Sequence, residues 1–92
     1  MRATVEGSLQ SELASDPRAL KDKSLLERVK ALITTVESAE TPLEIPNLKK
    51  LRGGGAYYRV RLGDYRVGLV VEENAIVFVR VLHRREVYRY FP

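Results

Sequence analysis

Ninety-two residues, 45% of them apolar, suffice for one hydrophobic core and leave no room for a second domain, so residues 1–92 read as a single unit. The absence of cysteine excludes a disulfide framework and a thiolate metal centre, and a lone histidine argues against an imidazole-ligated one; no metal or cofactor is expected. Net charge is +4 but uneven: residues 1–46 hold six Lys/Arg against eight Asp/Glu and residues 47–92 hold ten against four, which makes the C-terminal half the expected contact for an anionic partner.

The opening Met1-Arg2-Ala3-Thr4-Val5-Glu6 carries no apolar run of signal-peptide kind, and no stretch approaches a membrane span. A soluble, cytoplasmic protein is expected. Leu9, Leu13 and Leu20 suggest a first helix, which Asp16-Pro17 must kink, end or restart because proline lacks an amide and crowds the preceding turn. Leu25, Val29, Leu32, Ile33 and Val36 then form the stripe of an amphipathic helix from about Lys23 to Ser38, with Ser24 and Glu27 as a capping box. Thr41-Pro42 and Ile45-Pro46 bracket an extended connection expected to have no core of its own.

After Gly53-Gly54-Gly55 the period changes to two. Tyr58, Val60 and Leu62 alternate with Tyr57, Arg59 and Arg61; after Gly63-Asp64, Tyr65, Val67, Leu69 and Val71 alternate with Arg66, Gly68 and Val70. A Gly-X pair between alternating runs predicts a two-residue hairpin with Gly63 at positive φ, and that turn sets Leu62 opposite Tyr65, Arg61 opposite Arg66, Val60 opposite Val67 and Arg59 opposite Gly68. Ala75 to Leu82 predicts a third strand, apolar on both faces and so central, after a turn at Glu72-Glu73-Asn74 whose length leaves the face of Arg80 open. Helices first and strands second mean α+β, with two N-terminal helices packed on one face of a twisted antiparallel sheet.

Arg61 opposite Arg66 is unfavourable in a sheet, so the pair needs either solvent or an anion. One reading is solvated arginines on an edge; the other is a phosphate cradle of Arg59, Arg61 and Arg66, which Lys49, Lys50 and Arg52 extend.

Three ordered blocks, Ile45-Pro-Asn-Leu-Lys-Lys-Leu-Arg-Gly53, Tyr58-Arg-Val-Arg-Leu-Gly-Asp-Tyr-Arg66 and Leu82-His-Arg-Arg-Glu-Val-Tyr88, resemble those of RelE/ParE-superfamily toxins, nearer to RelE. The resemblance spans roughly Lys21 to Pro92. It implies a type II toxin with a cognate antitoxin, a toxin–antitoxin hetero-oligomer, and ribosome-dependent endoribonuclease action on mRNA. A ParE-like inhibitor of DNA gyrase, or a non-catalytic RNA-binding relative, are the alternatives it leaves. By the same resemblance Arg59, Arg61, Arg66 and Arg84 fall on the family's basic site positions, Tyr88 on a base-stacking tyrosine, and His83 where some branches carry a catalytic histidine. The strand that usually opens the family is hard to find in Met1 to Gly7, and Pro17 sits where a helix would continue.

Cleavage by a ribose 2′-OH needs a base, a proton donor for the leaving 5′-oxygen and cations for the charge on phosphorus. Where relatives carry lysine this chain has Arg59 and Arg61, which stay protonated and stabilise charge rather than move protons. The proton work falls to His83, Tyr88 or Glu86, with His83 favoured because a free imidazole titrates near about 6.5.

Overall fold

The structure, a computed structural model, describes residues 1–7, 9–11, 22–52 and 55–85. Five strands form one sheet in the order β1-β5-β4-β3-β2: β1 (Arg2–Val5), β2 (Leu48–Lys50), β3 (Tyr57–Leu62), β4 (Tyr65–Glu72) and β5 (Ala75–His83). The long helix α1 (Lys23–Ser38) packs on one face, so the class is α+β.

The β3–β4 hairpin has the expected register, pair for pair: Leu62 with Tyr65, Arg61 with Arg66, Val60 with Val67 and Arg59 with Gly68. Gly63 takes φ +62, which an L side chain adopts only at a cost. A Cβ there would come within 2.8 Å of Arg28 Nη1, the far end of a flexible exposed side chain that can swing aside, so the positive φ is the reason this turn wants glycine.

Helix α1 keeps the bounds its stripe predicts, and Leu25, Val29, Leu32 and Val36 are its buried residues. They meet Val60, Val67, Leu69, Ile76, Phe78 and Val81 from the sheet in one core, in which Phe78, Leu69, Ile76 and Val67 lose all solvent exposure. Burying a side chain of that size contributes about 1.5–3 kcal/mol, so this layer is the main source of stability. Asp22 caps the helix, accepting the Leu25 amide at 2.9 Å; the expected Ser24 cap is displaced because Lys23 and Ser24 already have helical backbone.

Several expectations need correction. The sheet is not wholly antiparallel, because β1 runs parallel to β5 with Ala3 beside Ile76 and Val5 beside Phe78. That opening strand is hard to see in sequence since only Ala3 and Val5 tuck against the core while Arg2 and Thr4 stay exposed; pairing with β5 makes it a strand. The Met1 nitrogen ties it to the carbonyls of Glu37 and Ala39 at the end of α1. The connection after α1 is not coreless. It makes a 3-10 turn, Pro42–Glu44, and buries Ile45 to 4% exposure in the main core.

β5 pairs on both sides but β4 holds the middle of the sheet. Near the N-terminus, helical backbone is present at residues 7 and 9–11, with Leu9 buried in the core. The rest of the expected first helix, including Leu13, Pro17 and Leu20, lies outside the described residues, as do Gly53, Gly54, Glu86 and Tyr88.

Candidate nucleic-acid interface

Directly paired residues share a face of a sheet, so the register assigns each side chain to the helix side or the open side. Lys49 pairs with Arg59, Arg59 with Gly68, and Gly68 with Arg80: one row across four strands that presents three cations on the open side. The next row holds Arg61 and Arg66, continuing to Leu82. Tyr57, 37% exposed, shares this face, while Tyr58 packs on the main core.

Arg80 reaches this face through an irregularity. The β4–β5 ladder runs Gly68 to Arg80 but Leu69 to Phe78, which leaves Val79 as the extra residue of a β-bulge. Phe78 faces the helix, so strict alternation would send Arg80 inward as well; the extra residue turns it outward. Gly68, buried between Arg59 and Arg80, leaves backbone where a side chain would separate the two guanidinium groups.

Among the cations, Arg59 has its Nε buried with no hydrogen-bond partner. A buried donor of this kind is costly, and a phosphate or carboxylate oxygen on that face would relieve the cost. Arg66 is engaged differently: one Nη1 donates to the carbonyls of Gly63 at 2.8 Å and Tyr65 at 2.9 Å, so it also locks the β3–β4 turn. Arg61, Arg52, Lys49 and Lys50 are exposed. Lys50 pairs with Tyr58 and so projects to the helix side, whereas Lys49 joins the row.

His83 and Arg84 sit at the end of β5, beside the β3–β4 turn. The Arg84 amide donates to the Asp64 carbonyl at 2.8 Å, and its Nε lies 4.0 Å from Asp64 Oδ1, an exposed and therefore weak ion pair. His83 pairs with Tyr65 and meets its ring edge-on, centroids 5.6 Å apart, so it belongs to the helix side and not to the arginine rows. Its Nδ1 accepts the Arg85 amide at 3.3 Å, which places the proton of the neutral ring on Nε2. The structure thus brings Lys49, Arg59, Arg61, Arg66 and Arg80 together on one face, with Arg84 at its end and His83 around the rim. Sequence reasoning left Arg80 out of the site, because no local signal marks a bulge at Val79.

Among the described residues no group of His, Asp or Glu is arranged to hold a metal ion, and no helix is long and apolar enough to cross a membrane. A small α+β domain with a helix layer on one sheet face and a cationic second face is the class these observations define. The family model described as ParE toxin of type II toxin-antitoxin system, parDE, matches residues 9–88. Toxin RelE3 of Methanocaldococcus jannaschii is 39% identical over 67 residues, 72% of this chain and 76% of that protein. Among solved structures, the RelB-RelE antitoxin-toxin complex from Methanococcus jannaschii matches with a TM-score of 0.76 at 31% identity, over 97% of this chain and 99% of the matched one. The archaeal RelE-RelB complex from Pyrococcus horikoshii matches with a TM-score of 0.58, also at 31% identity, over 90% of this chain and 93% of the matched one. The chain belongs to the ParE toxin family and is a toxin of the RelE/ParE type.

Proposed function

We propose that the chain is a ribosome-dependent endoribonuclease of the cytoplasm, held inactive by a cognate antitoxin. The observation that carries this reading is the pair of cationic rows on the open face, with Arg59 Nε buried and lacking an acceptor. In the proposed reaction the 2′-oxygen of an mRNA nucleotide attacks the adjacent phosphorus, the bond to the 5′-oxygen breaks, and a 2′,3′-cyclic phosphate and a 5′-hydroxyl result. Arg61, Arg66 and Arg84 take up the charge that grows on the phosphoryl oxygens, a role for which the guanidinium fork is suited and which demands no proton transfer, while Arg59 holds a neighbouring phosphate of the strand. Lys49 and Arg52 bind flanking backbone, while Lys50, on the helix side, is left out of the expected cradle.

The proton donor to the 5′-oxygen is His83 as the imidazolium: it gives up its Nε2 proton, which has no hydrogen-bond partner among the described residues. The remaining proton must then sit on Nδ1 until the neutral ring re-forms with Nδ1 accepting the Arg85 amide. Because His83 lies around the end of the sheet from Arg59, the scissile phosphate is proposed to sit near Arg66 and Arg84, at the β3–β4 turn. Tyr88 stacks on a base in this scheme, and Tyr88 or Glu86 remains the rival for proton transfer. The 2′-OH proton passes to Glu86 or to solvent, with positioning on the ribosome supplying part of the acceleration.

Incubating the protein with ribosomes stalled on a defined mRNA tests this: a cut in the decoding-site codon with a 2′,3′-cyclic end is expected. The ParE family match keeps a gyrase-directed reading in play, under which mRNA stays intact and supercoiling by gyrase falls. Intact mRNA together with unaffected gyrase would leave the non-catalytic RNA-binding reading.

A further inference from the structure

A second feature lies on the other side of the molecule from the cationic rows. Between α1 and β3 runs a groove of about 210 Å³, lined by Arg28, Ala31, Leu32, Thr35, Pro46, Asn47, Val60 and Leu62. Its floor is core, Leu32 and Val60, while Ala31 on its rim is exposed. The volume falls below the roughly 300–1,000 Å³ of small-molecule sites and suits a single inserted side chain.

Two observations say what kind of chain fits. First, the β2–β3 ladder ends at Leu48 with Val60, so among the described residues the outer edge of β3 at Arg61 and Leu62 carries no strand, and the groove opens beside that edge. Such an edge takes an extended segment through main-chain hydrogen bonds. Second, Arg28 stands at the mouth with no hydrogen bond or ion pair among the described residues, its Nη1 close to Gly63, where the absent Cβ makes room. An exposed arginine with no counter-charge among the described residues, beside an apolar slot, is complementary to an apolar residue followed closely by a carboxylate.

We propose that this groove docks an extended acidic segment of the antitoxin, one apolar side chain entering between Ala31 and Leu62 and one carboxylate meeting Arg28. The proposal rests on the reading of the chain as a toxin with a protein partner, and it places an anchor away from the arginine face. The apolar slot between Ala31 and Leu62 then holds the antitoxin from the helix side of the sheet.

The probe is the protein encoded by the reading frame adjoining this one, with affinity measured by calorimetry. Ala31→Trp fills the groove from an exposed helix position, and Arg28→Glu inverts the charge at its mouth. Each variant is expected to raise Kd tenfold or more, by the equivalent of at least about 1.4 kcal/mol, and to keep its circular-dichroism spectrum; Ala31→Trp is also expected to leave mRNA cleavage on ribosomes unchanged. Wild-type affinity in both folded variants would overturn the proposal and leave the toxin reading standing. Failure of the wild-type chain to bind that neighbour would overturn both. If the variants instead weaken self-association while partner affinity holds, the groove belongs to a second copy of this chain and the proposal falls.

Discussion

The two hairpins of this sheet share a strand and differ in how their faces are decided. Both turn in two residues, Gly63-Asp64 with Gly63 at φ +62 and Glu73-Asn74 with Asn74 at φ 60. The first runs without interruption from Leu62 and Tyr65 to Tyr57 and Val70. The second slips by one residue at Val79, after which every side chain to His83 lies on the face opposite to the one that alternation from Phe78 would assign. Alternation from Phe78 would put His83 with the arginines and Arg80 in the core; the observed ladder does the reverse. One extra residue therefore composes the cationic face and moves the lone histidine off it.

The sharpest way to break this comparison is to delete one residue from each partner of the second hairpin. Removing Val70 throws β4 out of step with β3 and β5 at once and inverts part of the core, so no cooperative thermal transition is expected. Removing Val79 leaves Phe78 opposite Leu69 and Arg80 opposite Gly68, so a folded protein is expected, destabilised by about 1–3 kcal/mol in urea titration. Equal damage from both deletions would mean that the bulge is needed for folding and does more than assign faces.

Next in size is the histidine. If His83 reaches the leaving oxygen around the end of the sheet, His83→Gln should slow single-turnover cleavage on saturated ribosomes by roughly 10²–10⁴-fold, with ribosome affinity little changed. A near-wild-type rate would make His83 a packing residue for Tyr65 and pass the proton to Tyr88 or Glu86.

The two turns give a smaller contrast. Gly63→Ala meets the positive φ, the Arg28 guanidinium moving aside at little cost, and should cost about 1–2 kcal/mol in chemical denaturation. Asn74→Gly only relaxes a conformation asparagine already tolerates and should stay within about 0.5 kcal/mol. Similar losses at the two sites would show that the positive φ at Gly63 does not call for glycine.

The smallest expected effect reports on the row itself. If Arg80 and Lys49 each contact one RNA phosphate, replacing either by Ala should lower the slope of log affinity against log salt by about 0.7–0.9. An unchanged slope for Arg80→Ala, with the expected fall for Lys49→Ala, would remove the β5 end of the row from the interface.

The sequence by itself determined the α+β class, the bounds of α1 and the register of the first hairpin. Each rests on a periodic signal long enough to be read locally: a five-residue stripe at helical spacing, or two alternating runs joined by a glycine turn. It also placed Arg59, Arg61 and Arg66 on a common face, because alternation on either side of a known turn leaves no freedom. Tertiary structure decided what lacked such a signal. β1 and β2 are four and three residues long, and only pairing with β5 and β3 makes them strands. Ile45 is buried because the 3-10 turn before it folds the connection back under the core. The face of Arg80 depends on a bulge whose residue, Val79, packs against Leu51 and Leu82, and Leu51 comes from the far side of the first hairpin. No pattern within β5 encodes that contact, because it exists only once the sheet has formed.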